Sequence, residues 1–211
     1  MSIAVGWAAL AINTTGSHNV AVGQSSLLYN STGYFNTSVG SFTMDANTTG
    51  ASNTALGYSA LSANSTASNN TAIGRNASLK TTTGTNNVSV GAYALQESTT
   101  GASNVAIGFQ ALRDSTTGSN NLAVGQNALV YNSTGGNNVA VGQNALFNTT
   151  TGTDNSAVGN NALLTNTSGA NNVAMGFYAL NLATTASNNV AYGAYSLRNN
   201  TTGTQNAAMG R

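Results

Sequence analysis

Residues 121–159 read NLAVGQNALVYNSTGGNNVAVGQNALFNTTTGTDNSAVG, and the phrase N-x-A-V-G returns in it so that Gly125, Gly142 and Gly159 stand 17 residues apart. Working outward, glycine recurs at 6, 23, 40, 57, 74, 91 and 108 and again at 176, 193 and 210, with no insertion or deletion across 12 intervals. Each coil is numbered here from that glycine as position 0. Asn stands at −4, as in Asn19, Asn36, Asn53, Asn121 and Asn138, and Ala at −2 except at Ser38 and Ser89. Val, Ile, Leu or Met fills −1, with Tyr192 the outlier. A small residue occupies +3, Leu occupies +4 except at Met44 and Ser78, and Gly returns at +10 except at Ala67 and Ala186. The unit is N-x-A-V-G-x-x-A-L-x-x-N-T-T-G-x-x.

A helical repeat needs about 33–47 residues, so this period suits one turn of a β-coil. V-A-V predicts a strand whose −3 and −1 side chains share one face while the −2 Ala takes the other. The glycine at 0 supplies a positive φ or a close approach that a Cβ would block. A-L is expected to form a second strand, and N-T-T-G a return turn with Asn and Gly in left-handed backbone. Stacked coils place identical residues in columns about 4.8 Å apart, where Asn and Thr can bond in ladders. Asn19, Asn36, Asn53, Asn121, Asn138, Gly125 and Gly142 are the expected ladder residues. The expectation is an all-β chain: a β-solenoid, or parallel β-roll, of about twelve 17-residue coils forming one repeat domain over 1–211. Twelve steps correspond to a rod of roughly 58 Å.

Small Ala residues inside leave Val124, Val141 and Val158 in the −1 column facing outward. A strand apolar on both faces calls for burial on both. These valines are therefore expected to form an inter-chain core around a symmetry axis, with a homotrimer the first choice.

Composition narrows the function. Charged residues are 4% of the chain against about 25% in ordinary globular domains, and the net charge is +1. Without a basic stripe no nucleic-acid partner is expected. With no Cys, disulfide scaffolds and thiolate metal sites are excluded. Apolar runs are too short to insert in a membrane. The opening MSIAVGWAAL lacks a basic n-region, so no signal peptide is read there.

The N-x-A-x-G element resembles the head repeats of trimeric autotransporter adhesins, and the whole unit with A-L and N-T-T-G resembles repeat arrays of phage and other viral tail-fibre proteins. That resemblance implies a left-handed, homotrimeric roll within a longer fibre. It also implies an extracellular place, on a virion tail or capsid fibre or on a cell surface, with a host receptor or glycan as partner.

No catalytic constellation, metal site or cofactor site emerges. His18 is the only histidine and reads as a solvated side chain; the alternative is a metal ligand shared by three copies. Glu97 and Asp114 share the +6 column, but Lys80 and Arg113 beside them favour a charge ladder over acid–base work. Sequons such as Asn13-Thr14-Thr15 and Asn30-Ser31-Thr32 follow from the turn composition. The varying columns +1, +2, +5 and +6 carry rings, among them Tyr93, Phe109, Tyr131, Phe147, Phe177, Tyr178 and Tyr195. These are candidates for ligand or receptor contact, or equally for inter-chain packing. Tyr34 and Phe35 at +11 and +12 stand where other coils carry mostly small polar residues. A ring folded over Tyr29 or Phe42 competes there with a receptor contact. A fibre segment with attachment function is the leading expectation. A filament stacked end to end, encouraged by the lack of a capping coil, is the alternative. Ice binding by the Thr columns at +8 and +9 is remote, and an enzyme is more remote still.

Overall fold

The computed structural model describes residues 1–210 and contains no helix among them. Each phrase of the V-A-V type forms a three-residue strand because β-branched residues suit a pleated surface, and its central residue is fully buried in the inner coils, as at Ala21 and Ala140, but not at Ala4 in the first. The chain is a parallel β-solenoid of about twelve turns and divides into two compact units, Met1–Asn104 and Val105–Arg211.

The first unit contains β1 (Ile3–Val5), β2 (Val20–Val22), β3 (Thr37–Val39), β4 (Thr54–Leu56), β5 (Thr71–Ile73) and β6 (Val88–Val90). The second contains β7 (Val105–Ile107), β8 (Leu122–Val124), β9 (Val139–Val141), β10 (Ser156–Val158), β11 (Val173–Met175), β12 (Val190–Tyr192) and β13 (Ala207–Met209). Within each unit consecutive strands pair in parallel at a constant offset, as in Val20↔Thr37 and Val139↔Ser156. That offset equals the sequence period, so like residues lie on like.

The interior is two-sided. One side holds the Ala at −2, the Ala at +3 and the Leu at +4, as in Ala140, Ala145 and Leu146, all at 0% exposure. The other holds the −4 Asn, the +7 position and the small +10 residue. Where a polar residue enters the apolar side it brings a partner. Ser26 Oγ donates to Ser38 Oγ at 2.7 Å, and Ser38 Oγ donates to the Thr43 carbonyl at 3.0 Å. Ser78 and Ser89 join through their hydroxyls at 2.9 Å. The exceptions to the repeat at 38, 78 and 89 are thus satisfied pairs rather than isolated defects.

The expected second strand does not form. Residues +2 and +4 have left-handed φ, for example Asn144 at 56° and Leu146 at 52°. Asn144 N–H donates back to the Gln126 carbonyl at 3.0 Å, while Leu146 N–H donates onward to the Ala162 carbonyl at 3.0 Å. This alternation keeps the inter-coil ladder of backbone bonds while turning the chain and pointing Leu inward. A left-handed leucine costs roughly 1–2 kcal/mol, a strain held in place by packing and hydrogen bonds on both sides. The N-T-T-G turn is not the left-handed segment either. Besides +2 and +4, positive φ recurs at +12, as in Asn137 and Asn171 (both 58°), and at the glycine at 0.

Gly125 and Gly142 fulfil both expected roles. Their φ values are +132° and +129°, and a Cβ on either would lie 2.7 Å from the carbonyl group of the next such glycine.

Candidate functional site

The −4 asparagines form a continuous ladder within each unit. Asn36 N–H donates to Asn19 Oδ1 at 2.9 Å, and Asn53 N–H to Asn36 Oδ1 at 3.0 Å. Asn138 N–H likewise donates to Asn121 Oδ1 at 3.0 Å. Side-chain amides along it also close their own coils: Asn121 Nδ2 donates to the Gly135 carbonyl at 2.9 Å and Asn138 Nδ2 to the Gly152 carbonyl at 2.8 Å. A second ladder runs through the +7 column, from Asn64 to Asn47 (2.7 Å), Asn47 to Asn30 (2.7 Å) and Asn30 to Asn13 (2.8 Å). It stops at Thr81. Asn64 Oδ1, Thr81 Oγ1 and Ser98 Oγ are buried without a partner, as are Asn132 Oδ1, Thr149 Oγ1 and Asn166 Oδ1 in the second unit. Ser and Thr are too short to span the column spacing.

These ladders occupy polar groups of the turns. The sequon asparagines Asn30, Asn47 and Asn64 are buried, and the nitrogen a glycan would substitute is already donating. At +8 the hydroxyls bond to the next coil, as in Ser133 Oγ to the Thr150 carbonyl at 3.0 Å and Thr150 Oγ1 to the Thr167 carbonyl at 3.1 Å. Of the two Thr columns only +9, as at Thr134 and Thr151, stands exposed along the coils.

The ionic groups pair locally. Lys80 meets Glu97 at 2.5 Å in the first unit, an exposed bridge of little stabilising effect. In the second, Arg113 Nε and Nη2 each donate to Asp114 at 2.6 Å. Hydrogen bonding to that carboxylate raises the guanidinium further above its ordinary range. Among the described residues no cavity opens, and no three His, Cys, Asp or Glu side chains gather as metal ligands.

Two surface features remain. The first is apolar: the −1 column with −3 forms a flank along each unit. Val124, Val141 and Val158 are half-buried on it, while Leu56, Ile107 and Tyr192 are 40% exposed or more. The second is aromatic. Tyr34 and Phe35 lie exposed, their centroids 5.4 Å apart, and Phe35 lies 5.1 Å from the His18 ring one coil earlier. Phe42 instead packs edge-on against Tyr58 at 6.0 Å, so the ring contact of Phe35 is made with His18. Phe35 also sits at φ 55°, a conformation that disfavours so bulky a residue. Tyr93 lies beneath the Arg75 guanidinium at 5.7 Å, and Phe109 is an exposed ring in the second unit. Tyr131 packs edge-on to Phe147 at 5.1 Å under Arg113. That arginines stand over these rings was not foreseen from the sequence; its signal was that Tyr93 follows Arg75, and Tyr131 follows Arg113, by one coil and one residue.

The fold thus defines the class, a parallel β-solenoid built from internally bonded coils. Comparison with family models, curated proteins and solved structures finds no match for this chain.

Proposed function

We propose that this chain is a structural and attachment segment of a stiff extracellular fibre. It belongs on a virion, as part of a tail or capsid fibre, or on a cell surface. It assembles as a homotrimer through the −1/−3 flank and turns its aromatic flank toward a host receptor or glycan. The observation that carries the reading is the apolar flank itself. Val, Ile, Leu and Met side chains repeat there on every coil, alongside an interior already complete through its Ala, Leu and Asn columns. An apolar stripe of that regularity suits a symmetric partner, and a ladder that tolerates no insertion suits a rigid spacer. Threefold repetition of weak contacts on the outer flank would multiply their effective strength when the spacing permits simultaneous engagement.

Light scattering tests the assembly: the expected mass is that of three chains. Val141→Asp, which places a charge in the shared core at a cost of several kcal/mol on the order given for unpaired buried charges, should lower that mass. A well-folded monomer both before and after the substitution refutes the trimer. Antibody against the chain should label intact virions or unpermeabilised cells, and labelling only after permeabilisation refutes the location.

A further inference from the structure

In the second unit the +1 and +2 columns carry amides in three successive coils: Gln126 and Asn127, Gln143 and Asn144, Asn160 and Asn161. They bond along the stack, Asn127 to Asn144 at 3.3 Å, Asn144 to Asn161 at 3.1 Å and Asn160 to Gln143 at 3.1 Å. The next two coils break the pattern with Phe177, Tyr178 and Tyr195. Tyr178 and Tyr195 stack at 5.8 Å with 17° between their planes. Phe177 meets them edge-on at 4.4 and 5.5 Å and remains 44% exposed. The Arg198 guanidinium stands 5.6 Å from the Tyr178 centroid and 5.5 Å from that of Tyr195.

The neighbouring Arg113 makes the contrast. It too lies over a tyrosine, Tyr131 at 5.5 Å, but its fork is taken up by Asp114. Arg198 is exposed and forms no ion pair among the described residues; it stands over the two tyrosines, and no described carboxylate claims its donors. A guanidinium so placed suits bidentate recognition of an oxyanion. An exposed ring beside it suits the apolar face of a pyranose, and the adjoining amides offer both donors and acceptors to hydroxyl groups.

We infer that Phe177, Tyr178, Tyr195 and Arg198 form a binding site for an anionic sugar, with Arg198 receiving its carboxylate or sulfate and Phe177 contacting its ring. The site rests on the attachment reading, for which it names a ligand class. The source of the anion is separated by three probes presented to the full chain: sialyllactose, sulfated lactose and lactose. Saturation-transfer NMR and calorimetry should show one or both acidic sugars bound at least about tenfold more tightly than lactose, the usual scale of a charged hydrogen bond. Arg198→Gln should erase that preference, and Phe177→Asn, which restores the amide of the preceding coil, should weaken every probe. Arg113→Gln should leave binding unchanged. Melting curves and light scattering on the same samples report folding and assembly separately. The site is refuted if neither acidic sugar binds, if lactose binds equally well, or if Arg198→Gln has no effect. It is also refuted if Phe177→Asn changes only the assembled mass, which would make the patch a contact between copies. Attachment to cells without acidic-sugar binding would overturn this site alone. Acidic-sugar binding without attachment would overturn the attachment reading and leave the site standing.

Discussion

Replacing Asn138 with alanine removes one rung of the −4 ladder, and its cost follows from three hydrogen bonds. Asn138 Nδ2 donates to the Gly152 carbonyl at 2.8 Å, and its Oδ1 accepts from the Asn155 backbone N–H at 3.1 Å and from Asn155 Nδ2 at 3.2 Å. The Asn155 side chain retains the Gly169 carbonyl at 2.8 Å, so the substitution leaves two backbone groups unmet, Gly152 C=O and Asn155 N–H. A buried polar group without a partner costs about 1–3 kcal/mol, which sums to roughly 2–6 kcal/mol. One coil on, Asn155→Ala makes the comparison. The Gly169 carbonyl it serves also receives Asn166 Nδ2 at 3.1 Å, whereas Thr149, the corresponding residue beside Gly152, makes no hydrogen bond with its hydroxyl. Asn155→Ala should therefore orphan only the Asn172 N–H and cost about half as much. Urea denaturation followed by circular dichroism gives the two losses, and hydrogen exchange at the Asn155 amide localises the first. Equal losses, or a loss under about 1 kcal/mol for Asn138→Ala, would refute the reasoning.

Three further outcomes follow from the columns. Gly142→Ala, at φ +129° and 2.7 Å from the Gly159 carbonyl carbon, should destabilise by several kcal/mol, on the order of combined backbone strain and overpacking. Gly152→Ala meets the Gly169 carbonyl oxygen as closely, at 2.6 Å, but without the positive φ, and Ala67 and Ala186 already occupy that column, so it should cost less; comparison of the two denaturation midpoints decides. Thr81→Asn should extend the Asn13–Asn30–Asn47–Asn64 ladder, give Asn64 Oδ1 a donor, and stabilise by about 1 kcal/mol, read as a higher midpoint at constant slope. Tyr34→Ser with Phe35→Asn places the residue best suited to φ 55° at +12. Thermal stability should hold or rise by about 1 kcal/mol while attachment falls if those rings contact a receptor. A lower melting temperature with normal attachment would show the rings to be structural.

The sequence by itself determined the coil. A strict period of 17 residues makes any stacked arrangement place Ala on Ala, Leu on Leu and Asn on Asn, so the parallel register, the apolar columns and the Asn ladder were legible from spacing alone. The positive φ at Gly125 and Gly142 was legible for the same reason. The path within the coil was not. Leu146 has no local preference for the left-handed region, yet it sits at φ 52° because closing the turn and burying its side chain together demand it. Periodicity specifies which residues meet between coils, but not the dihedrals that carry the chain from one to the next. The same limit governed the polar exceptions and the surface charges. Ser78 and Ser89 read as separate departures from the repeat and are one hydrogen-bonded pair across the core. Arg113 and Arg198 are chemically identical and share the +5 column. Only side-chain placement in three dimensions decides that Asp114 claims the first and that two tyrosines hold the second.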